Sequence, residues 1–209
     1  MQEMPLVEQA VVVEAASLTL LLPDAVWMQA HFRSTVEAGR APVAPYWSRI
    51  WPSSYALAAW LHKHPELVSE KQVLELAAGI GLPSLSIAPL AREVLASDYL
   101  PEAVALLQRN AEHLGRTNFQ ARLLDWNELP EDLTTDVLLL SDVNYDPSDF
   151  AKLLAVLTRF LHQGVTVILA TPQRIMGAAF IAALDGWIRE ASEERAGDVP
   201  ISIYRLAAT

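Results

Sequence analysis

The chain has 209 residues, with 15 Lys and Arg against 25 Asp and Glu, no cysteine, and 52% apolar side chains. At roughly 100–200 residues per domain this suits one large domain, or one domain with an elaboration, and the apolar fraction excludes a disordered chain. The lack of cysteine excludes a disulfide scaffold, a thiolate zinc site, an iron–sulfur cluster and a cysteine nucleophile. A formal net charge of −10 speaks against a nucleic-acid groove, which needs clustered Lys and Arg, and suits basic partners such as a lysine-bearing protein surface.

No membrane segment is expected. The longest uncharged stretch, residues 76–91, contains Gly and Pro and falls short of the roughly 20 apolar residues of a spanning helix. Residues 1–14 carry acids and no Lys or Arg, unlike a secretory or transit leader, so a cytoplasmic location is expected. Residues 1–40 read as an N-terminal elaboration with two short strands at 11–13 and 18–22. A helix follows from an Asp24 N-cap to about Glu37, closed by Gly39. Residues 41–209 form the main domain. It opens on a Pro- and Trp-rich loop, ordered rather than flexible, and a helix over 53–64 stopped by Pro65.

Strand and helix patterns then alternate. Strands are predicted at 72–76, 93–97, 118–124, 136–141 and 164–170, and helices at 82–91, 101–114, 149–161 and 174–184. A closing hairpin pairs 187–195 with 201–206. Residues 136–141 and 164–170 are apolar on both faces and therefore central. This alternation predicts an α/β fold with a Rossmann-like, doubly wound, mostly parallel sheet and an antiparallel C-terminal hairpin. Ligands of such sheets bind beyond the carboxyl ends of the strands.

The notable polar residues fall at those ends, and five strand ends are expected to converge on one cleft: Glu75 to Gly81, Asp98-Tyr99, Asp125-Trp126, Ser141 to Tyr145, and Thr171-Pro172. Gly79 and Gly81 allow a tight turn and close ligand approach. A dinucleotide turn would continue to a third glycine where Ser84 stands. A carboxylate at Glu75 suits a ligand with a cationic end better than a pyrophosphate. Asp98, 23 residues after Glu75, stands where an acid accepts both hydroxyls of an adenosine ribose. Tyr99 can cover an adenine face. Asp125 can accept from the exocyclic amine, and Trp126 can stack on the ring. Either acid alone reads better as a cap of the next turn; both together, behind Glu75 and Gly79, read better as ligand contacts. His62 and His64 are two apart and do not face one metal on a helix, so no metal site is expected. Asp146, Pro147 and Asp149 read as turn and cap chemistry.

Three segments carry a resemblance: Tyr46-Trp47-Ser-Arg-Ile-Trp51-Pro-Ser-Ser, Glu75-Leu-Ala-Ala-Gly79-Ile-Gly81-Leu-Pro-Ser-Leu, and Ser141-Asp142-Val-Asn-Tyr145-Asp. From about Pro45 to Leu206 the chain resembles a class I S-adenosylmethionine-dependent methyltransferase, and more narrowly the seven-strand, lysine methyltransferase-like group called methyltransferase family 16. The resemblance implies S-adenosyl-L-methionine as cofactor, S-adenosyl-L-homocysteine as product, and a protein lysine as acceptor. It places Glu75, Gly79 and Gly81 at the methionine end, Asp98 at the ribose, and Asp125 with Trp126 at the adenine. Trp47 and Trp51 would wall the cofactor site, Ser141 would border it, and Asp142 and Tyr145 would line the acceptor's entrance. Rival readings are a small-molecule methyltransferase, an NAD(P)-dependent oxidoreductase, opposed by Glu75 and the missing third glycine, and a non-catalytic cofactor-binding scaffold.

Overall fold

The structure, a computed structural model, describes residues 4–39, 41, 44–173 and 177–208. The predicted helix start at 174 and residues 42–43 of the predicted loop lie outside them.

Two N-terminal strands, β1 (Leu6–Val13) and β2 (Ala16–Pro23), pair antiparallel along their whole length. They exceed the predicted segments because the backbone ladder runs on from Ala10↔Thr19 to Leu6↔Pro23, past the alternation that buries Val11, Val13, Leu18, Leu20 and Leu22 and through the exposed residues 7–10. Helix α1 (Ala25–Glu37) starts where the Asp24 carboxylate accepts from the Trp27 amide at 2.7 Å. Next come α2 (Pro52–Lys63), β3 (Gln72–Glu75), α3 (Leu82–Ile87), β4 (Glu93–Asp98), α4 (Pro101–His113), β5 (Phe119–Leu123) and β6 (Val137–Ser141). The chain closes with α5 (Phe150–His162), β7 (Thr166–Pro172), α6 (Ala178–Ala182), β8 (Ile188–Ala196) and β9 (Val199–Leu206).

Seven strands form one sheet in the order β5-β4-β3-β6-β7-β9-β8. Pairing is parallel from β5 to β7 and antiparallel through β9 and β8. The chain reverses direction across the sheet between β3 and β6, the switch point where such sheets open a crevice. Two-residue periodicity divides the strands between two cores. Val73, Val137, Leu139, Ile168 and Ala170 pack on the side of α2, α3 and the N-terminal hairpin, while Leu74, Leu138, Leu140, Val167 and Leu169 pack on the side of α5. In α4, Ala103, Leu106, Leu107, Asn110 and Ala111 are buried, and in α5, Leu153, Val156, Leu157, Phe160 and Leu161. Both sets follow the i, i+3, i+4, i+7, i+8 stripe of a helix docked on a core.

The N-terminal hairpin is tied to this body by Asn110. Its amide accepts from the Leu21 N–H at 2.7 Å and donates to the Leu21 carbonyl at 3.0 Å, supplying at the edge of β2 the bonds of a missing strand. Helix α3 is shorter than the predicted 82–91. Pro89 cannot donate to the helix ladder, and the residue before a proline is disfavoured in helical conformation. Strand β7 starts later than predicted because Gly164, at φ +80°, and Val165, whose N–H goes to Phe160, still finish α5. The hairpin turn between β8 and β9 is Gly197-Asp198 alone, so Pro200 sits inside β9 opposite Arg195.

Candidate active site

The turn after β3 borders the crevice and holds three residues in the left-handed region. Ala77, Gly79 and Gly81 all have positive φ, at +52°, +55° and +73°. For Ala77 that conformation costs roughly 1–2 kcal/mol, a cost that a structured site can sustain. Sequence offered no signal for it, since alanine reads as a helix or strand former.

The two glycines do different work. A Cβ on Gly79 would lie 3.1 Å from the Trp47 carbonyl oxygen, so the loop before α2 rides directly on this turn. A Cβ on Gly81 would collide with a methyl of the buried Leu107, so a side chain here would force that leucine to shift where α4 packs against the start of α3. Gly79 lines a cavity of about 620 Å³ at the carboxyl ends of the strands; Gly81 does not.

Glu75 does not reach the cavity either. It is fully buried beneath the turn, where its Oε2 accepts from the Ser84 N–H at 3.0 Å. Its Oε1 is buried without a hydrogen-bond partner among the described residues. Burial pushes this carboxyl up to about 7, against the lowering effect of the Ser84 bonds. Asp98, 5% exposed, lines the cavity and braces the same turn: Oδ2 accepts from the Gly79 N–H at 3.1 Å, and Oδ1 from the Leu100 N–H at 3.1 Å. Burial raises its pKa too, opposed by those backbone bonds.

Asp125 and Trp126 line the cavity at the next strand end. Asp125 Oδ1 takes the backbone and side-chain N–H groups of Asn127, at 2.8 and 2.6 Å, so it caps the short turn over Trp126–Glu128 as well as facing the cavity. Trp126 is packed against the α5-side core on one side. Tyr99, half exposed, also lines the cavity, and burial, with the charges of Asp98 and Asp125, raises its phenol pKa.

On the far side of the crevice, β6 ends in Ser141, and Asp142 turns at φ +55° while its N–H still bonds to the Ala170 carbonyl at 2.9 Å. Asp142, Ser141 and Tyr145 line the same cavity. The loop between them is braced from below: the Thr171 hydroxyl donates to Asn144 Oδ1 at 2.7 Å, with both residues buried. Four of the five expected strand ends therefore line the cavity. The fifth does not, because Thr171 is turned inward onto Asn144. Trp47 and Trp51 line it from the N-terminal side.

Sequence reasoning missed Tyr46, Arg49, Ser54 and Asp149, which line the cavity as well. The Tyr46 ring lies edge-on to Trp51 and to Tyr145, with centroids 5.9 and 6.0 Å apart. The Ser54 and Ser141 hydroxyl oxygens are 3.1 Å apart, linking α2 to β6. Asp149 precedes α5 but makes no side-chain capping bond, contrary to the cap role expected of it. Only its distance of seven residues from Asp142, across a Pro turn, could have hinted at this. His62 and His64 lie at the far end of α2, and among the described residues no group of His, Asp or Glu is placed to hold a metal. Among the described residues, no helix is long and apolar enough to cross a membrane.

Comparison with known proteins bears on this arrangement. A family model described as lysine methyltransferase matches residues 43–186. A histone-arginine methyltransferase of Homo sapiens is 29% identical over 135 residues, 62% of this chain and 71% of that one. A calmodulin-lysine N-methyltransferase of Arabidopsis thaliana is 38% identical over 104 residues, 46% of this chain but 34% of that one. Several further curated relatives are spanned over about half their length. Among solved structures, a 16S rRNA methyltransferase of T. Thermophilus, in complex with AdoMet and guanosine, superposes with a TM-score of 0.68. At 16% identity it covers 98% of this chain and 51% of that one, and it shares the fold.

Proposed function

The chain belongs to the lysine methyltransferase family, and from that premise we propose that it moves a methyl group from S-adenosylmethionine to the side-chain nitrogen of a protein lysine. The observation that carries the reading is one cavity bordered by the Gly79 turn, Asp98 and Asp125-Trp126 on one side and by Asp142 and Tyr145 on the other. The residues fit an adenosine with a cationic tail. Asp98 would take the ribose hydroxyls, while Asp125 would meet the adenine amine and Trp126 the ring. Gly79 leaves the turn bare of a side chain, and Ser141 borders the same space. The buried Glu75 would place negative charge behind the turn only where it is ionised, as pH rises through about 7.

When bound, the cofactor supplies a methyl already activated on a sulfonium, so positioning and exclusion of water are the protein's tasks. A lysine must arrive neutral to accept the methyl. Asp142 would draw the ammonium in and orient it. Burial, foremost, raises the Tyr145 phenol, so it stays protonated at neutral pH and acts as a hydrogen-bonding partner of the amine rather than as a base. The Tyr46, Trp51 and Tyr145 rings, with Tyr46 edge-on to the other two on this side of the cavity, would help keep water from the amine.

Asp142→Ala tests the reading. Methyl transfer should fall at least ~100-fold, on the scale of positioned proton-handling groups, while S-adenosylhomocysteine affinity stays within about threefold, or ~0.6 kcal/mol. A stable, cofactor-binding Asp142→Ala protein with unchanged turnover would remove Asp142 from the site. A second reading, an arginine acceptor, is favoured by the relatives named histone-arginine methyltransferases and by the second carboxylate, Asp149, in the same cavity. A planar guanidinium suits paired carboxylates. The large acidic excess of the chain suits an acceptor set in a basic segment in either case.

A further inference from the structure

The lining of the cavity is unevenly charged. Asp98, Asp125, Asp142 and Asp149 border it, and among the described lining residues Arg49 is the one Lys or Arg. An amino-acid end brings one carboxylate into such an acidic space, and a carboxylate leaving water needs a cation and hydrogen-bond donors. Arg49 is placed to supply both. The Trp47 carbonyl lies over the Gly79 turn, close enough that a Cβ there would press on it, and Arg49 follows two residues later on the same strap of chain. Its guanidinium carbon lies 5.4 Å from the centre of the Trp51 ring. That ring is fixed in turn by its Nε1–H bond to the Tyr46 carbonyl at 2.8 Å. This cation–π contact with a fixed indole places the guanidinium at the cavity wall, and its planar fork matches a carboxylate in two-point contact.

We propose that Arg49 binds the α-carboxylate at the amino-acid end of the cofactor. The inference rests on reading the cavity as the S-adenosylmethionine site. A carboxylate held at Arg49 leaves the cationic parts of the ligand to the acid-lined remainder of the cavity, so one side chain sets the ligand's direction.

Two probes separate this role from mere packing against Trp51. S-Adenosylhomocysteine carries the amino-acid end; 5′-methylthioadenosine carries the same adenosine and thioether sulfur without it. By calorimetry, Arg49→Ala should weaken S-adenosylhomocysteine binding roughly 10- to 100-fold, the range for hydrogen bonds to a charged group. The same variant should leave methylthioadenosine within about threefold, and Arg49→Lys should recover part of the loss. Parallel losses for both probes, or no loss for either, would overturn the Arg49 assignment alone. A wild-type protein that bound neither probe would overturn the cofactor reading on which it rests.

Discussion

Replacing Glu75 with Gln changes a charge and little else, which makes it a sharp probe of the turn below the cavity. The carboxyl is fully buried, one oxygen holds the Ser84 N–H, and burial lifts its pKa from an ordinary 4.5 to about 7. The folded state therefore binds the proton more tightly than the unfolded one. The stability this contributes is complete below pH ~4.5 and is lost as pH rises through about 7. A difference of about 2.5 pH units corresponds to ~3 kcal/mol in full, at ~1.4 kcal/mol per unit, with ~2–3 kcal/mol of it falling between pH 5 and 8. A glutamine can still accept the Ser84 bond but cannot ionise. Its amide hydrogens impose a constant cost that does not depend on pH. Urea unfolding of both proteins at several pH values from 5 to 8 isolates the effect, since every other titrating group cancels in the difference. The wild type should lose ~2–3 kcal/mol relative to Glu75→Gln across that range. Parallel stability curves would refute the reasoning, because they would mean that Glu75 titrates alike folded and unfolded. The variant should also bind S-adenosylhomocysteine more weakly at pH 8, having lost the charge behind the turn.

Other substitutions separate ligand contact from packing. Gly81→Ala forces a Cβ onto Leu107 and should cost ~1–3 kcal/mol of overpacking, seen as a lower melting temperature. Gly79→Ala, at a positive φ and against the Trp47 carbonyl, should lose ~1–2 kcal/mol and weaken cofactor binding as well; calorimetry beside a melting curve reads both. Asp98→Ala should weaken S-adenosylhomocysteine binding by ~1.5–3 kcal/mol, and undiminished affinity would place the ribose elsewhere. Trp126 fluorescence should respond to the cofactor, and Trp126→Ala should weaken binding through lost stacking.

The sheet was largely legible because its determinants are local. The residues of β6 are apolar on both faces, Pro101 opens α4 at its first turn, and Gly164 closes α5. The strand ends at Asp98, Asp125 and Asp142 follow from those strands by position alone. What was not legible depends on residues distant in sequence. Gly81 reads as a ligand-approach glycine, and only the arrival of Leu107 from α4 shows that a side chain there would also disturb helix packing. Thr171 reads as one more polar strand end, yet Asn144 draws it inward. Tyr46, Arg49 and Ser54 lie on a loop and a first helical turn with no period to reveal that they line the cavity. Glu75 was placed correctly at the end of β3, but its burial beneath the turn depends on the amide of Ser84, nine residues later.

The most direct measurement is the identity of the methylated atom. The protein should be incubated with methyl-labelled S-adenosylmethionine and a lysate of its own source, and the labelled products separated and hydrolysed to amino acids. Label recovered in protein as ε-N-methyllysine, and lost with Asp142→Ala, is the expected result. Label recovered as methylarginine, or in a small molecule with none in protein, would contradict the assignment of a protein lysine as acceptor.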